Sequence, residues 1–338
     1  MENSPKTLVI RVGDGPGLGD NLFYSHLPRI AKTCDKPFEK VYIHNPWSFR
    51  HNDLKRLIWE MNPYVDGVVA SDSPTLDALA HKELFFRSEF ADFTTNQNLL
   101  DQIMLLQGLD DGERFHEPEI YYQPKFREEF HKVVFDPNWI SNAGGLSFED
   151  VLELFGAEGI KIEAVMGKKE GGKGGNTQQN LFDYDIDVEY IHTPTLEDFC
   201  DLLYSAKAIY CFVTGTATLA AALTKPATVF VGKNVFINPV FFHSKLHRYC
   251  IIPKHNIVVN KIMHYKFLGI KGHIRLELDT FERLLKFINE KLPKSMATKI
   301  SKYINSSFVS TPSKKKKHDK AYYEKLKKEI FIPTQKDK

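Results

Sequence analysis

The strongest constraint on how this chain folds is an alternation that runs through it twice: a short run of branched apolar residues, an amphipathic stretch, then another short apolar run. In the first half, strands are expected over 7–12, 40–44 and 66–70, bounded by turn-forming residues. Between them, 20–32 sets Leu22, Phe23, Leu27, Ile30 and Ala31 on one helical face with a kink at Pro28, and 52–61 does the same with Leu54, Leu57 and Ile58. This β-α-β-α-β rhythm predicts a parallel sheet covered on both faces and joined by right-handed crossovers.

The rhythm restarts after a proline- and acid-rich passage at 117–124 that reads as a linker. Strands are expected over 131–135, 161–166, 188–192, 208–213 and 227–231. A helix over 196–206 buries Leu196, Phe199, Cys200 and Leu203, with Thr195 as its N-cap. The fold class is therefore α/β, with two Rossmann-like, doubly wound domains facing a central cleft. The expected boundaries are 1–125, 126–290, and a lysine-rich tail over 291–338. Ligands of open α/β sheets bind at the carboxyl ends of the strands, which here border the cleft. The glycine- and lysine-rich run 167–180 reads as a surface loop able to act as a lid.

Charge separates the tail from the body. Residues 291–338 hold fourteen lysines and four acidic residues, whereas 1–290 holds 31 basic and 39 acidic residues. No apolar run reaches the ~18–20 residues that span a bilayer, and the start lacks the pattern of a signal peptide. Cys34, Cys200, Cys211 and Cys250 are scattered, with no Cys-x-x-Cys pair. A reducing cytoplasm is the expected location.

Two segments carry chemistry. In the first, a strand runs into the glycine-dense stretch 13–19 and then Asp20 at a helix opening, where bare amides and a partial positive charge suit a phosphate. A nicotinamide dinucleotide is disfavoured as ligand, because Leu18 stands where the third fingerprint glycine is needed and the second strand ends in His44 and Asn45. Asp20 reads either as an N-cap or as a base facing the cleft. In the second, a buried strand runs into Thr214, Gly215, Thr216 and Thr218 before a helix of small residues. This is either a capped core helix or a diphosphate site in which aimed dipoles stabilise a departing anion.

Four segments together resemble the bacterial ADP-heptose:lipopolysaccharide heptosyltransferases, which have the GT-B two-domain fold. They are 17–23 (GLGDNLF), 61–69 (MNPYVDGVV), 195–199 (TLEDF), and 214–226 (TGTATLAAALTKP) running on to 232. The resemblance spans roughly residues 7–235. It implies an inverting, metal-independent glycosyltransferase that takes a nucleoside-diphosphate sugar as donor and needs no cofactor. It makes Asp20 the general base, places Gly19 beside it, and assigns the donor phosphates to Thr214, Gly215 and Thr216. The acceptor implied is a hydroxyl of a lipooligosaccharide core or another surface glycan. The chain departs from the family at Val213, where aspartate is usual, and at Thr218, where histidine is usual, which leaves sugar and nucleotide open. Alternatives are a nucleotide-sugar epimerase or hydrolase on the same plan, and a non-catalytic, membrane-tethered scaffold.

Arg50, His51, Lys55 and Arg56 form a basic group that suits an anionic acceptor or a solvated helix face. The D-x-D spacing at Asp183 and Asp185, repeated at Asp187, is short enough to arise by chance. His243 and His247 lack the glutamate of a zinc protease. In the tail, Lys314 to Lys317 followed by Tyr322, Tyr323, Leu326, Ile330, Phe331 and Ile332 suits either an anionic membrane surface on the inner face of the cytoplasmic membrane or a solubilising tail. Nucleic acid is not expected, since the tail has no arginine and the body is acidic.

Overall fold

The computed structural model describes residues 6–12, 17–45, 49–69, 98–138, 148–167, 186–232, 244–252, 257–258, 262–267, 270–275, 313–314 and 319–333. Most of the lid candidate, Asp183, Asp185, His243 and Lys315 to Lys317 lie outside the described residues.

The N-terminal lobe holds β1 (Thr7–Arg11), β2 (Lys40–His44) and β3 (Gly67–Val69), parallel and in that order. Only Lys40 at the start of β2 is exposed and Val41, Ile43 and His44 are buried, as in a strand covered on both faces. The single kinked helix expected after β1 is two helices, α1 (Leu18–Leu22) and α2 (Leu27–Thr33), with turns between them. Pro28 is not a kink but lies in the first turn of α2, where its missing N–H costs nothing. The stretch 52–61 begins as α3 (Asn52–Leu54) and continues as a π-helical turn over Lys55–Glu60, with Met61 N–H bonded to the Arg56 carbonyl. The wider turn brings Leu57, Ile58 and Trp59 all into the core. The helix α4 (Leu99–Leu106) leads to a loop and then the inter-lobe segment at 117–127.

The C-terminal lobe contains β4 (Val133–Asp136), α5 (Phe148–Glu158), β5 (Ala164–Met166), β6 (Glu189–Ile191), α6 (Leu196–Ser205), β7 (Ala208–Phe212), α7 (Gly215–Ala222), β8 (Thr228–Gly232) and β9 (Arg248–Ile252). Further strands are β10 (Ile257–Val258), β11 (Ile262–Phe267), β12 (Ile270–Arg275) and β13 (Ser313–Lys314), and α8 (Lys320–Ile330) comes last. The main sheet runs β11-β12-β9-β8-β7-β4-β5-β6, parallel except for the β11–β12 pair. Counted from β4, its first six strands lie in the order 3-2-1-4-5-6, the Rossmann order, which puts the topological switch point between β4 and β7. The two Rossmann-like α/β halves expected from the sequence are thus present, the N-terminal one as three parallel strands among the described residues.

Thr195 caps α6 as expected, its hydroxyl accepting from Asp198 N–H at 3.1 Å. The expected linker is a strap docked on both lobes. Glu119 N–H donates to Ser25 Oγ of the N-terminal lobe at 2.8 Å, while Lys125 N–H reaches Asp201 and Arg127 N–H reaches Ser205 on α6, both at 2.8 Å.

The tail departs most from expectation. Rather than a solvated or membrane-seeking segment, 319–333 packs on the C-terminal lobe. Leu326, Ile330 and Phe331 are buried with Phe148, Phe155 and Ile162 in a cluster on one face of the main sheet. Tyr323 donates to Glu153 at 2.8 Å, and the chain pairs with Ile162 through Ile162 N–H to the Ile330 carbonyl and Ile332 N–H to the Ile162 carbonyl, both at 2.9 Å. The apolar face offered to a membrane in the sequence reading is spent on the protein's own core. Among the described residues no helix is long and apolar enough to cross a membrane.

Candidate functional site

The carboxyl ends of β1 and β7 bring two helix openings together. A Cβ on Gly215 would sit 3.1 Å from the Gly19 nitrogen and 3.1 Å from Leu18 Cβ; one on Gly19 would sit 3.4 Å from Gly215 Cα and 3.5 Å from Thr218 Oγ1. The two glycines are therefore a close inter-lobe contact between α1 and α7, tight for any side chain at Gly215, whereas a Cβ at Gly19 would make only ordinary contacts. Asp20 follows Gly19 directly.

Asp20 is not the N-cap of α1. Gly17 is, and Asp20, three residues on, turns its Oδ2 back to accept from Gly17 N–H at 3.0 Å. Its half-burial raises its pKa above the ordinary aspartate value, while the Gly17 amide and the charge of Arg50 pull it down. The carboxylate fills the positive opening of this five-residue helix, so an anionic ligand gains little there. Residues 13–16 of the glycine loop lie outside the described residues. Buried Asn21 fixes the turn: its Nδ2 donates to the Gly17 carbonyl at 2.8 Å, and its Oδ1 accepts from Trp59 Nε1 at 3.0 Å and Asn45 Nδ2 at 3.3 Å.

The opening of α7 is different. Its N-cap Thr214 makes no side-chain cap; its hydroxyl bonds the Phe212 carbonyl at 3.4 Å. The first-turn amides of a helix have no partner within it, so this opening offers N–H groups and positive potential to an anion. Thr216 and Thr218 are buried, and their hydroxyls point inward. Thr218 bonds the Thr214 carbonyl at 3.4 Å, and Thr216 donates to Asp136. Of the threonines expected at the phosphates, only Thr214 is half exposed. Asp136, at the end of β4 and so at the switch point, also accepts from Asn138 Nδ2 at 2.7 Å, and burial raises its pKa. Sequence reasoning missed it, since one acid at a strand end carries no local signal. Val213, where the resembled family has a carboxylate, is half-buried against the core.

The basic group divides. Arg50 is exposed and near enough to Asp20 to lower its pKa. Exposed His51 precedes α3 without capping it. Lys55 pairs with Glu60 at 2.9 Å, and Arg56 pairs across the lobes with Glu197 of α6. Asp53 Oδ2 accepts from Leu196 N–H at 3.4 Å beside that pair. Lys55 and Arg56 thus act in ion pairs, Arg56 as an inter-lobe clasp, and only Arg50 is brought to Asp20. His247 is an ordinary buried histidine, as expected: Nδ1 accepts from Ala227 N–H at 3.2 Å and Nε2 donates to the Ala217 carbonyl at 2.7 Å. Cys200 and Cys211 are free and buried.

Fold and site together define an α/β protein of two Rossmann-like halves whose lobes meet where strand ends and helix openings converge. No family model and no curated protein matches the chain. Among solved structures it is similar to TibC, an iron-containing dodecameric glycosyltransferase of enterotoxigenic E. coli, at 14% identity and TM-score 0.47 over 72% of this chain. The match spans 62% of TibC. It is also similar to E. coli heptosyltransferase WaaC with ADP (13% identity, TM-score 0.45, 73% of this chain and 93% of that one) and to E. coli ADP-heptose lps heptosyltransferase II (13%, 0.44, 87% and 99%).

Proposed function

We propose that this chain is an inverting glycosyltransferase of the GT-B kind, moving a sugar from a nucleoside-diphosphate donor to a hydroxyl of a lipooligosaccharide core or other surface glycan. One observation carries the reading: α1 and α7 abut at Gly19 and Gly215, so that a carboxylate following one glycine and an uncapped helix opening beginning at the other lie together at the switch-point edge. The sequence segments shared with heptosyltransferases support the same assignment of roles.

In this reading the first-turn amides of α7, with Thr214, hold the donor diphosphate and take up the charge that develops as it leaves. The acceptor oxygen attacks the anomeric carbon from the opposite face. The bond to the diphosphate breaks with its electron pair, and the acceptor proton passes to Asp20. A metal ion has no required part, because the helix opening performs the electrostatic task. Asp136 orients Thr216 and with it the first turn of α7.

The test is Asp20→Asn. Transfer from ADP-, GDP-, UDP- and CMP-sugars is measured alongside thermal shift, since a ligand bound to the folded state raises its stability. The variant is expected to lose about 10²–10⁴-fold in rate and to keep the nucleotide-induced shift. Full rate in the variant, or no shift with any nucleotide sugar in the parent, ends the proposal.

A further inference from the structure

The turn that carries Asp20 is held from within the lobe by a chain of hydrogen bonds whose far end is Trp59. In an α-helix each residue turns ~100° from the one before, so a helix that buries Leu54, Leu57 and Ile58 would swing Trp59 away from that face. The π-helical turn over Lys55–Glu60 rotates less per residue and keeps the indole inside, where it is fully buried. A buried indole N–H needs an acceptor, and Trp59 Nε1 finds Asn21 Oδ1 at 3.0 Å.

That bond sets the polarity of the links beyond it. An indole N–H only donates and a peptide carbonyl only accepts. Asn21 lies between one of each, with Oδ1 toward Trp59 and Nδ2 donating to the Gly17 carbonyl at 2.8 Å. A flipped amide would set donor against donor at one end and acceptor against acceptor at the other. Asn21 and Trp59 are both fully buried, so water cannot repair the mismatch.

Gly17 passes the constraint on. Its carbonyl also accepts from Asn21 N–H at 3.2 Å, while its own N–H donates to Asp20 Oδ2 at 3.0 Å. A Cβ on Gly17 would stand 2.6 Å from that same oxygen, so the carboxylate lies directly against bare glycine. Oδ2 is thus tied down. Oδ1 takes no hydrogen bond from the described residues and is the oxygen open to a proton.

We propose that Trp59 is a positioning residue for the transfer reaction: its indole N–H, acting through Asn21 and Gly17, holds the Asp20 carboxylate with one oxygen tied and the other presented to the acceptor hydroxyl. The inference rests on Asp20 being the base. Trp59 itself is walled off from substrate, and a tryptophan serving only as core filling would not need its N–H.

Trp59→Phe in the full chain keeps a buried ring and removes only the donor and part of the ring volume. It should lower kcat by about threefold to tenfold, the worth of one neutral hydrogen bond, and leave the donor KM within about twofold. The acid limb of the pH–rate profile should move to higher pH, because the Gly17 N–H that lowers the Asp20 pKa is loosened while Arg50, the other group that lowers it, stays in place. Asn21→Ala cuts the chain at its middle link, should move the limb the same way, and decides the matter if Trp59→Phe does not fold. The double variant should match Asn21→Ala alone, since both changes break one path. Asp20→Asn is run beside them. If it keeps full rate, the base assignment fails and takes this inference with it. If it is inactive while Trp59→Phe loses only Tm, with kcat and the acid limb as in the parent, the base stands and Trp59 is a core residue only. Additive effects of Trp59→Phe and Asn21→Ala would equally overturn the proposal.

Discussion

Replacing Phe331 by alanine tests whether the tail belongs to the core. Its ring is 2% exposed, lies 6.3 Å from the ring of Phe148, and is held by backbone pairing on both sides of Ile162. Truncating a buried phenylalanine removes its transfer free energy and leaves a cavity, together about 3–5 kcal/mol. Backbone pairing at Ile162 limits how far the site can collapse, which favours the upper part of that range. In a lobe of roughly 150–250 residues each kcal/mol moves Tm by about 2–4 °C, so the C-terminal transition should fall by about 10 °C. Ile332→Ala is the control, since that side chain is 42% exposed and should change Tm by a degree or two at most. Calorimetry or denaturant unfolding with a C-terminal-lobe probe reads both. A loss under about 1 kcal/mol for Phe331→Ala would mean that the tail does not dock in solution.

Gly215→Ala should stress the α1–α7 contact, costing about 1–3 kcal/mol by overpacking and lowering donor affinity as the lobes are pried apart; an unchanged KM and Tm would refute the contact. Transfer rate should fall with decreasing pH through a pKa above the usual aspartate value, because burial dominates at Asp20. Arg50→Gln should move that limb to still higher pH by removing the charge that lowers it; an unmoved limb would separate Arg50 from the base. His247, pushed by burial down to about 4, stays neutral in the folded chain while its unfolded counterpart protonates near 6.5. The unfolded state therefore binds more protons between those values, so stability falls as pH drops from about 6.5 to about 4, by up to roughly 3 kcal/mol. His247→Gln should lower stability overall yet flatten that acid slope in urea unfolding; an unaltered slope would assign it elsewhere.

The strands were legible because a strand buried between helices needs a short branched apolar run, and β2 falls where its sequence puts it. The break between α1 and α2 was not, since the turns at residues 23–26 are written in residues that also continue a helix, and Pro28 is compatible with a kink or with a first turn. The stretches that meet at Gly19 and Gly215 stand out in the sequence because glycine beside a helix opening is a local signal. The inward commitments of Thr216 and Thr218, the arrival of Arg56 at Glu197, and the part of Asp136 were hidden, because their partners lie on other strands and lobes. The tail misled for the same reason. Lysines alternating with tyrosine, leucine and isoleucine give one amphipathic face whether its partner is lipid or α5, and nothing local names the partner.

Docking of α8 on α5 also orders events during synthesis. Tyr323 meets Glu153 across 170 residues of chain, and Ile162 finds its pairing partners only at residues 330–332. While the ribosome is still making the second half, the sheet face lined by Phe148, Phe155 and Val165 is an open apolar wall. A nascent lobe in that condition is a target for holding chaperones and for self-association, and a stop codon before residue 319, which removes all of α8, would leave the wall bare.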